Sequence, residues 1–317
     1  MSIDRVASAT QTAQFLRQIQ SASSALDQTQ TSIASGVNAT TYAGFGGQAQ
    51  ILTATISANQ RNTAYQSATG MAQTQVNLQD DQLSTLSDIA QKLRTTVNDA
   101  LGNNDATSLM TQVQSLFDQA VSVLNSKDAN GDYIYSGGRT DTAPLTVTSL
   151  SDLMALPATS QAFANGDFKK SVQVADGVNV SYGLTASDIG TQLMQAFKDI
   201  AGFDAGPTGN FAAGGGLSQA QDTFLTSTIA SATQVATGLN NITAANGYVS
   251  NRLTDATAQQ TAMNTLYSGF VDKIQGTDMA KAATQLSMNQ TQLQAALAVT
   301  SSLNQISLLN YLPVSGH

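Results

Sequence analysis

Three groups of residues have types and spacing that could do chemistry. Asp128-Ala129-Asn130-Gly131-Asp132 matches D-x-N-x-D, the start of a calcium loop in which alternate oxygen side chains converge on a hard cation. Such a loop needs glycine at its sixth position and a bidentate glutamate at its twelfth. Here those positions are Tyr133 and Arg139, so the segment reads as a turn at a helix end. Asp80-Asp81 could pair carboxylates, but neighbours on a helix point in different directions, and both read as solvated surface. Gly214-Gly215-Gly216 lacks the Lys and Ser/Thr of a phosphate loop and reads as a hinge. Nucleophilic catalysis lacks its parts. There is no Cys and no G-x-S-x-G, and the one His, His317, follows a Pro-Val-Ser-Gly tail. The expectation is a protein that is not an enzyme and has no catalytic, cofactor or metal site.

What the chain carries instead is helix surface. Phe15, Ile19, Ala22, Leu26, Thr29 and Ile33 keep a strict 4-3-4-3-4 spacing. Near the other end, Met279, Ala283, Leu286, Leu293 and Leu297 mark a seven-residue seam that drifts to Val299, Leu303 and Ile306. Stripes of this kind ask for another helix to lie against. Their free faces carry Gln, Asn, Ser and Thr rather than Lys and Glu. The two ends of the chain are therefore expected to pair with each other and to pack against further copies.

Composition narrows the partners. Charged residues make up 11% of the chain, all 21 acidic residues are Asp, and the net charge is −8. An average soluble domain is roughly 25% charged. With no basic patch to displace counterions, a nucleic-acid partner is excluded, and an anionic membrane surface is equally unsuited. No apolar run approaches the ~18 residues of a membrane span. Residues 1–6 contain Asp4 and Arg5 and are followed by no apolar stretch, so no cleaved secretory signal is expected.

The elements order themselves as helix over residues 1–35, a Gly-rich loop over 36–47, and helix from Gln48 to about Leu101. In that second helix Val76, Gln79, Leu83, Leu86, Ala90, Leu93, Val97 and Ala100 share a face. A third helix follows to about Asn125. Residues 128–216 gather the turn signals, a β-hairpin about Asp176-Gly177 and one short helix over 187–200. From Leu217 a seam from Leu225 to Ile274 predicts a helix of about 50 residues, ~75 Å at 1.5 Å per residue. The fold class expected is mainly α. Both chain ends build a long antiparallel helical rod, like a coiled-coil bundle, with a small α+β, β-rich domain inserted at its tip. The expected divisions are a core helical domain (1–40 with 276–317), a rod domain (41–127 with 217–275) and an outer domain (128–216).

Several segments resemble the flagellin family, and within it the hook–filament junction proteins. Ile33-Ala34-Ser35-Gly36 resembles the family's I-[ST]-[ST]-G, although the D-D-P-A-G that usually follows is replaced by Tyr42-Ala43-Gly44-Phe45-Gly46-Gly47. Leu83 to Val97 resembles L-x-x-I-x-x-x-L-x-x-L. Asn246 to Leu253 resembles G-A-x-x-N-R-L through Asn251, Arg252 and Leu253. Asp278-Met279-Ala280-Lys281-Ala282 resembles D-[ML]-A-E-A. Ser307-Leu308-Leu309-Asn310-Tyr311-Leu312 resembles the S-L-L-[ND]-Y-L end of junction proteins. Gly131 to Pro144 resembles their G-x-Y-[IL]-F-[SA]-G-x-[KR]-T-x-T-x-P through Tyr133, Tyr135, Gly137, Arg139 and Pro144.

The resemblance implies a structural subunit outside the cell, in the bacterial flagellum, exported by the type III route without a cleaved signal. It implies self-assembly into a ring or tubular filament, with hook-associated protein and flagellin subunits as neighbours and an export chaperone as a transient partner. It also implies assembly through the terminal helices, by Phe15, Ile19, Leu26, Ile33, Leu286, Leu293, Leu297, Leu303, Leu308, Leu309 and Leu312. A filament-forming flagellin is the alternative, and a flagellin-like surface adhesin binding through residues 145–216 a remoter one.

Overall fold

The structure is a computed structural model of the chain. It describes the backbone of residues 2–309 and the side chains of residue 10 and residues 13–302. The chain is 74% helical. Its elements are α1 (Ser2–Ser35), α2 (Ala49–Gly102), α3 (Leu109–Leu124), α4 (Leu150–Ala155), β1 (Ser171–Ala175), β2 (Val178–Ser181), α5 (Ala186–Asp204), α6 (Gln219–Gln275) and α7 (Met279–Leu309). Two compact units form, residues 1–60 with 263–317 and residues 61–262.

In the unit of residues 61–262, α2 and α6 run antiparallel. Side-chain amides tie them together along their length. Asn62 donates to the Gln260 carbonyl at 2.6 Å, Gln73 to Ser250 Oγ at 2.7 Å and Asn246 to the Val76 carbonyl at 3.0 Å. Ser87 reaches Asn240 at 3.1 Å, and Asn104 Oδ1 accepts the Leu217 amide at 2.9 Å. The face expected from the sequence is the buried one: Val76, Gln79, Leu83, Leu86, Ala90, Leu93 and Val97 are all fully buried. α3 returns along α2 and presents Val113, Phe117, Ala120 and Leu124 to the same core. There Phe117 meets Phe197 of α5 edge to face, with centroids 5.7 Å apart.

The expected hairpin forms, with Asp176-Gly177 as its two-residue loop and Gly177 at φ +73°, a conformation glycine adopts without a Cβ penalty. It is the two-stranded sheet of the described residues. It does not pack with the helical part of the insert. Val172, Val174 and Val180 instead cover Ala72 and Val76 of α2 and Leu253 of α6, forming a second, smaller core. The alternation that marks a strand says which side is apolar, not which surface it will cover. Gln260, buried in α6, fixes the choice: its Nε2 donates to Thr69 Oγ1 at 3.0 Å and to the Val174 carbonyl at 2.8 Å. At the hairpin loop, Tyr65 of α2 donates to Asp176 at 2.7 Å.

Two local expectations are corrected. Tyr42–Gln48 is a 3-10 segment rather than an open loop, with Gly46 at φ +53° allowing its kink. Helix α4 has too few residues for periodicity to reveal it. It is started by a capping box in which Ser149 and Asp152 satisfy each other's backbone amides.

The Gln260 amide bridges both long helices and the hairpin, so Gln260→Ala leaves the Val174 carbonyl without its donor. Limited trypsin digestion should cut after Lys169 or Lys170 several-fold faster in this variant, with α-helical circular dichroism unchanged. Unchanged cleavage would place the hold on the hairpin elsewhere.

Candidate assembly surfaces and the segment leading into the insert

In the unit of residues 1–60 with 263–317, α1 and α7 lie antiparallel. The expected α1 stripe is the one turned inward: Phe15, Ile19, Ala22, Leu26, Thr29 and Ile33 are all half-buried. On α7 the structure corrects the seam. The residues turned toward α1 are Ala282, Leu286, Asn289, Leu293, Ala296 and Thr300, again at 4-3-4-3-4 spacing. Leu286 and Leu293 belong to it. Met279, Ala283 and Leu297 do not, and Met279 and Leu297 are 53% and 51% exposed.

The reason is Asn289, buried to 5% exposure. Its amide donates to the Ala25 carbonyl at 3.1 Å and to Thr29 Oγ1 at 3.0 Å. A polar residue in a seam costs stability and fixes one register, and an apolar search passes over it. The matching heptad spacing on the two helices was the signal that could have found it. The side chains of Leu303, Ile306, Leu308 and Leu309, and Leu312 altogether, lie outside the described residues.

The open end of the pair is stapled by backbone. Gly36, at φ +72°, ends α1 and donates to the Ser32 carbonyl at 2.9 Å. Beyond it, Asn38 N donates to the Gln275 carbonyl at 2.7 Å, Asn38 Nδ2 to the Gly276 carbonyl at 2.8 Å, and Thr277 N to the Gly36 carbonyl at 2.9 Å. Asp278 then caps α7 by accepting the amides of Ala280 and Lys281, each at 3.0 Å. The I-A-S-G and D-M-A motifs are thus the two sides of one joint.

Apart from Ala282 and Asn289, the seam residues are only half-buried by this pairing, and other apolar side chains remain in water. Leu16, Met279, Met288, Leu297 and Val299 are between 44% and 53% exposed. A groove of about 480 Å³ runs between the helices, lined by Phe15, Ala22, Ala25, Ala295, Ala296 and Val299. Lys281 is the one Lys, Arg or Asp between Met279 and His317. In the same unit, Leu52 is fully buried, whereas Met263, Leu266 and Phe270 of the α6 seam are exposed. The half-buried positions there are Asn264, Tyr267, Val271 and Ile274.

The lead-in segment, in the unit of residues 61–262, is knotted by backbone. Tyr133 N donates to the Thr140 carbonyl, Ile134 N to Ser126, Gly166 N to Ser136 and Phe168 N to Gly137. The Tyr135 and Pro144 carbonyls accept from Ala186 and Ala164. Tyr135 is fully buried and donates its hydroxyl to Gln82 of α2. Burial pushes that phenol well above its ordinary range. Gly137 has φ +60°, and a Cβ there would stand 1.8 Å from the Gly166 carbonyl oxygen. Arg139 donates to the Ala164 carbonyl at 3.1 Å, Pro144 is buried, and Lys127 sits 4.4 Å over the Tyr133 ring. Gly166, which sequence reasoning missed, is what Gly137 must approach.

The other singled-out residues separate. Leu253 is fully buried in the hairpin core, while Asn251 and Arg252 are exposed. Asp80 and Asp81 are both exposed. The Asp128 carboxylate is taken by its own turn, accepting the amides of Asn130 at 2.8 Å and Asp132 at 3.1 Å. The three glycines Gly214, Gly215 and Gly216 all have positive φ just before α6.

Comparison with known proteins follows these surfaces. Residues 229–312 match the family of the bacterial flagellin C-terminal helical region. The chain is similar to the flagellar hook-associated protein 3 of Escherichia coli strain K12, 33% identical over 93 residues, covering 28% of this chain and 29% of that protein. It is similar to the same-named protein of Salmonella typhimurium strain LT2, 33% identical over 91 residues, covering 27% and 29%. The chain therefore matches under a third of the length of these curated relatives. Among solved structures, a Vibrio parahaemolyticus protein assigned as flagellar hook-associated shares the fold. The TM-score is 0.58 and the identity 17%, over 72% of this chain and 97% of that one.

Two outcomes follow from the geometry. Gly137→Ala should collapse the lead-in knot and lower the unfolding midpoint in urea markedly, whereas Gly131→Ala, in open space, should cost only its positive φ. Tyr135 has a folded pKa above its unfolded value of about 10. Its contribution to stability is whole below about pH 10 and is lost as pH climbs toward the folded value. A melting-temperature series from pH 8 to 11.5 should fall less steeply for Tyr135→Phe than for the native chain.

Proposed function

We propose that this chain is a structural subunit of the bacterial flagellum that joins hook to filament, assembling through α1 and α7 and having no catalytic role. The observation that carries the reading is the α1·α7 pair. Its inner seam is mostly half-buried, Leu16, Met288 and Leu297 lie in water outside it, and almost no charge keeps neighbours away. Such a pair cannot bury enough apolar surface alone to offset its ordering entropy. Copies packed side by side would supply the rest.

The match of residues 229–312 to a flagellin helical region supports this reading, as do the hook-associated relatives. Within it, residues 1–40 with 276–317 form the assembly core, 41–127 with 217–275 the rod, and 128–216 the outer domain. The assembly residues are Phe15, Ile19, Leu26, Ile33, Leu286, Leu293, Leu297, Leu303, Leu308, Leu309 and Leu312. Partners are further copies, hook-associated and flagellin subunits and an export chaperone, and the route out of the cell uses no cleaved signal.

Immunogold labelling of isolated flagella with an antibody against residues 145–216 should give one band between hook and filament. Label along the whole length would make the chain a filament flagellin, and unlabelled flagella would favour a surface adhesin. Leu293→Asp places an unpaired charge in the seam, costing several kcal/mol if it stays buried. That variant, and deletion of residues 302–317, should leave a soluble monomer that no longer enters flagella.

A further inference from the structure

Gln79 occupies an apolar position of the α2 stripe, between Val76 and Leu83, and is fully buried. Neither its Oε1 nor its Nε2 has a hydrogen-bond partner. An amide buried without partners is among the more expensive arrangements a core can hold, because both dipole ends lose water and gain nothing.

Its position is the boundary between the two apolar cores of this unit. On α2 the smaller core ends at Val76 and the larger begins at Leu83. On α6 the larger reaches Ile242 and the smaller begins at Val249. Asn246 lies in the same gap, buried, its amide spent on the Val76 carbonyl. Gly247 follows Asn246 directly in the facing stretch of α6, and an interior glycine weakens a helix relative to alanine. The pair of helices is therefore weakened twice at one level, by an unpaired amide in α2 and by Gly247 in α6.

We propose that the Gln79–Asn246 layer is a joint built into the α2·α6 pair. The helices open or bend there first, and the apolar cores on either side move without being broken. The cores are continuous packing and resist partial deformation, whereas a polar layer between them can admit water and re-pair its amides at small cost. The proposal concerns the unit of residues 61–262 alone and stands independently of the assembly reading.

Amide hydrogen exchange on the full chain, native and Gln79→Met, tests it. Methionine keeps the unbranched shape and removes the amide. In the native chain, residues 76–83 and 240–249 should exchange faster than the α2 and α6 segments on either side. Gln79→Met should slow that exchange about tenfold in this layer, leave the flanking cores unchanged and raise the melting temperature. Gln79→Glu should do the reverse. Fast-exchanging flanks around a well-protected layer, or a Met variant that is less stable or exchanges like the native chain, would overturn the proposal.

Discussion

Side-chain amides set the register in which the helices of this chain lie. Asn62, Gln73, Asn246 and Gln260 do so between α2 and α6, and Asn38 and Asn289 do so between α1 and α7. A chain with 11% charged residues cannot rely on ion pairs for this. Asparagine and glutamine carry donor and acceptor together, so they can cross a seam and bond to a main-chain carbonyl that the helix has already saturated once. Each such bond adds little net energy, but a shift of one turn would leave the buried Asn246, Gln260 and Asn289 amides unpaired. Specificity comes from what the wrong register would lose.

The insert depends on that frame. Residues 126–186 are held to α2 and α3 through the buried Tyr135 and the Asn125 bracket on Leu145, and to themselves through the close Gly137–Gly166 approach. The hairpin returns to α2 and α6 and is clasped by Gln260. Its valines could cover any apolar surface. The bond from the buried Gln260 amide to the Val174 carbonyl selects the surface actually used.

The two units differ in how far they are finished. Residues 61–262 hold two cores, the larger with fully buried leucines and aromatics. In the other unit, Leu52 and Ala282 are the buried hydrophobics among the described residues, and the α1·α7 seam is half-covered. Burial of apolar surface scales with what is available to pack against, and two helices offer each other one narrow stripe.

Helix positions, the hairpin turn and the inward stripes of α1 and α2 were legible in the sequence, because period and turn chemistry are local properties. Phe15 to Ile33 at 4-3-4-3-4 spacing needed no partner to be identified. The motif residues Tyr135, Gly137 and Pro144 were legible by resemblance, though not the reason for them: Gly137 is glycine because Gly166 lies against it. Only the tertiary structure decided which stripe of α7 faces α1, which surface the hairpin covers and where the two cores part. Each of those choices turns on a buried polar residue: Asn289, Gln260 or Gln79. Read along the chain, such a residue belongs to a solvated face or breaks an apolar pattern. Its cost or benefit exists only once a specific carbonyl, hydroxyl or empty space stands opposite, and that is fixed by residues far away in sequence.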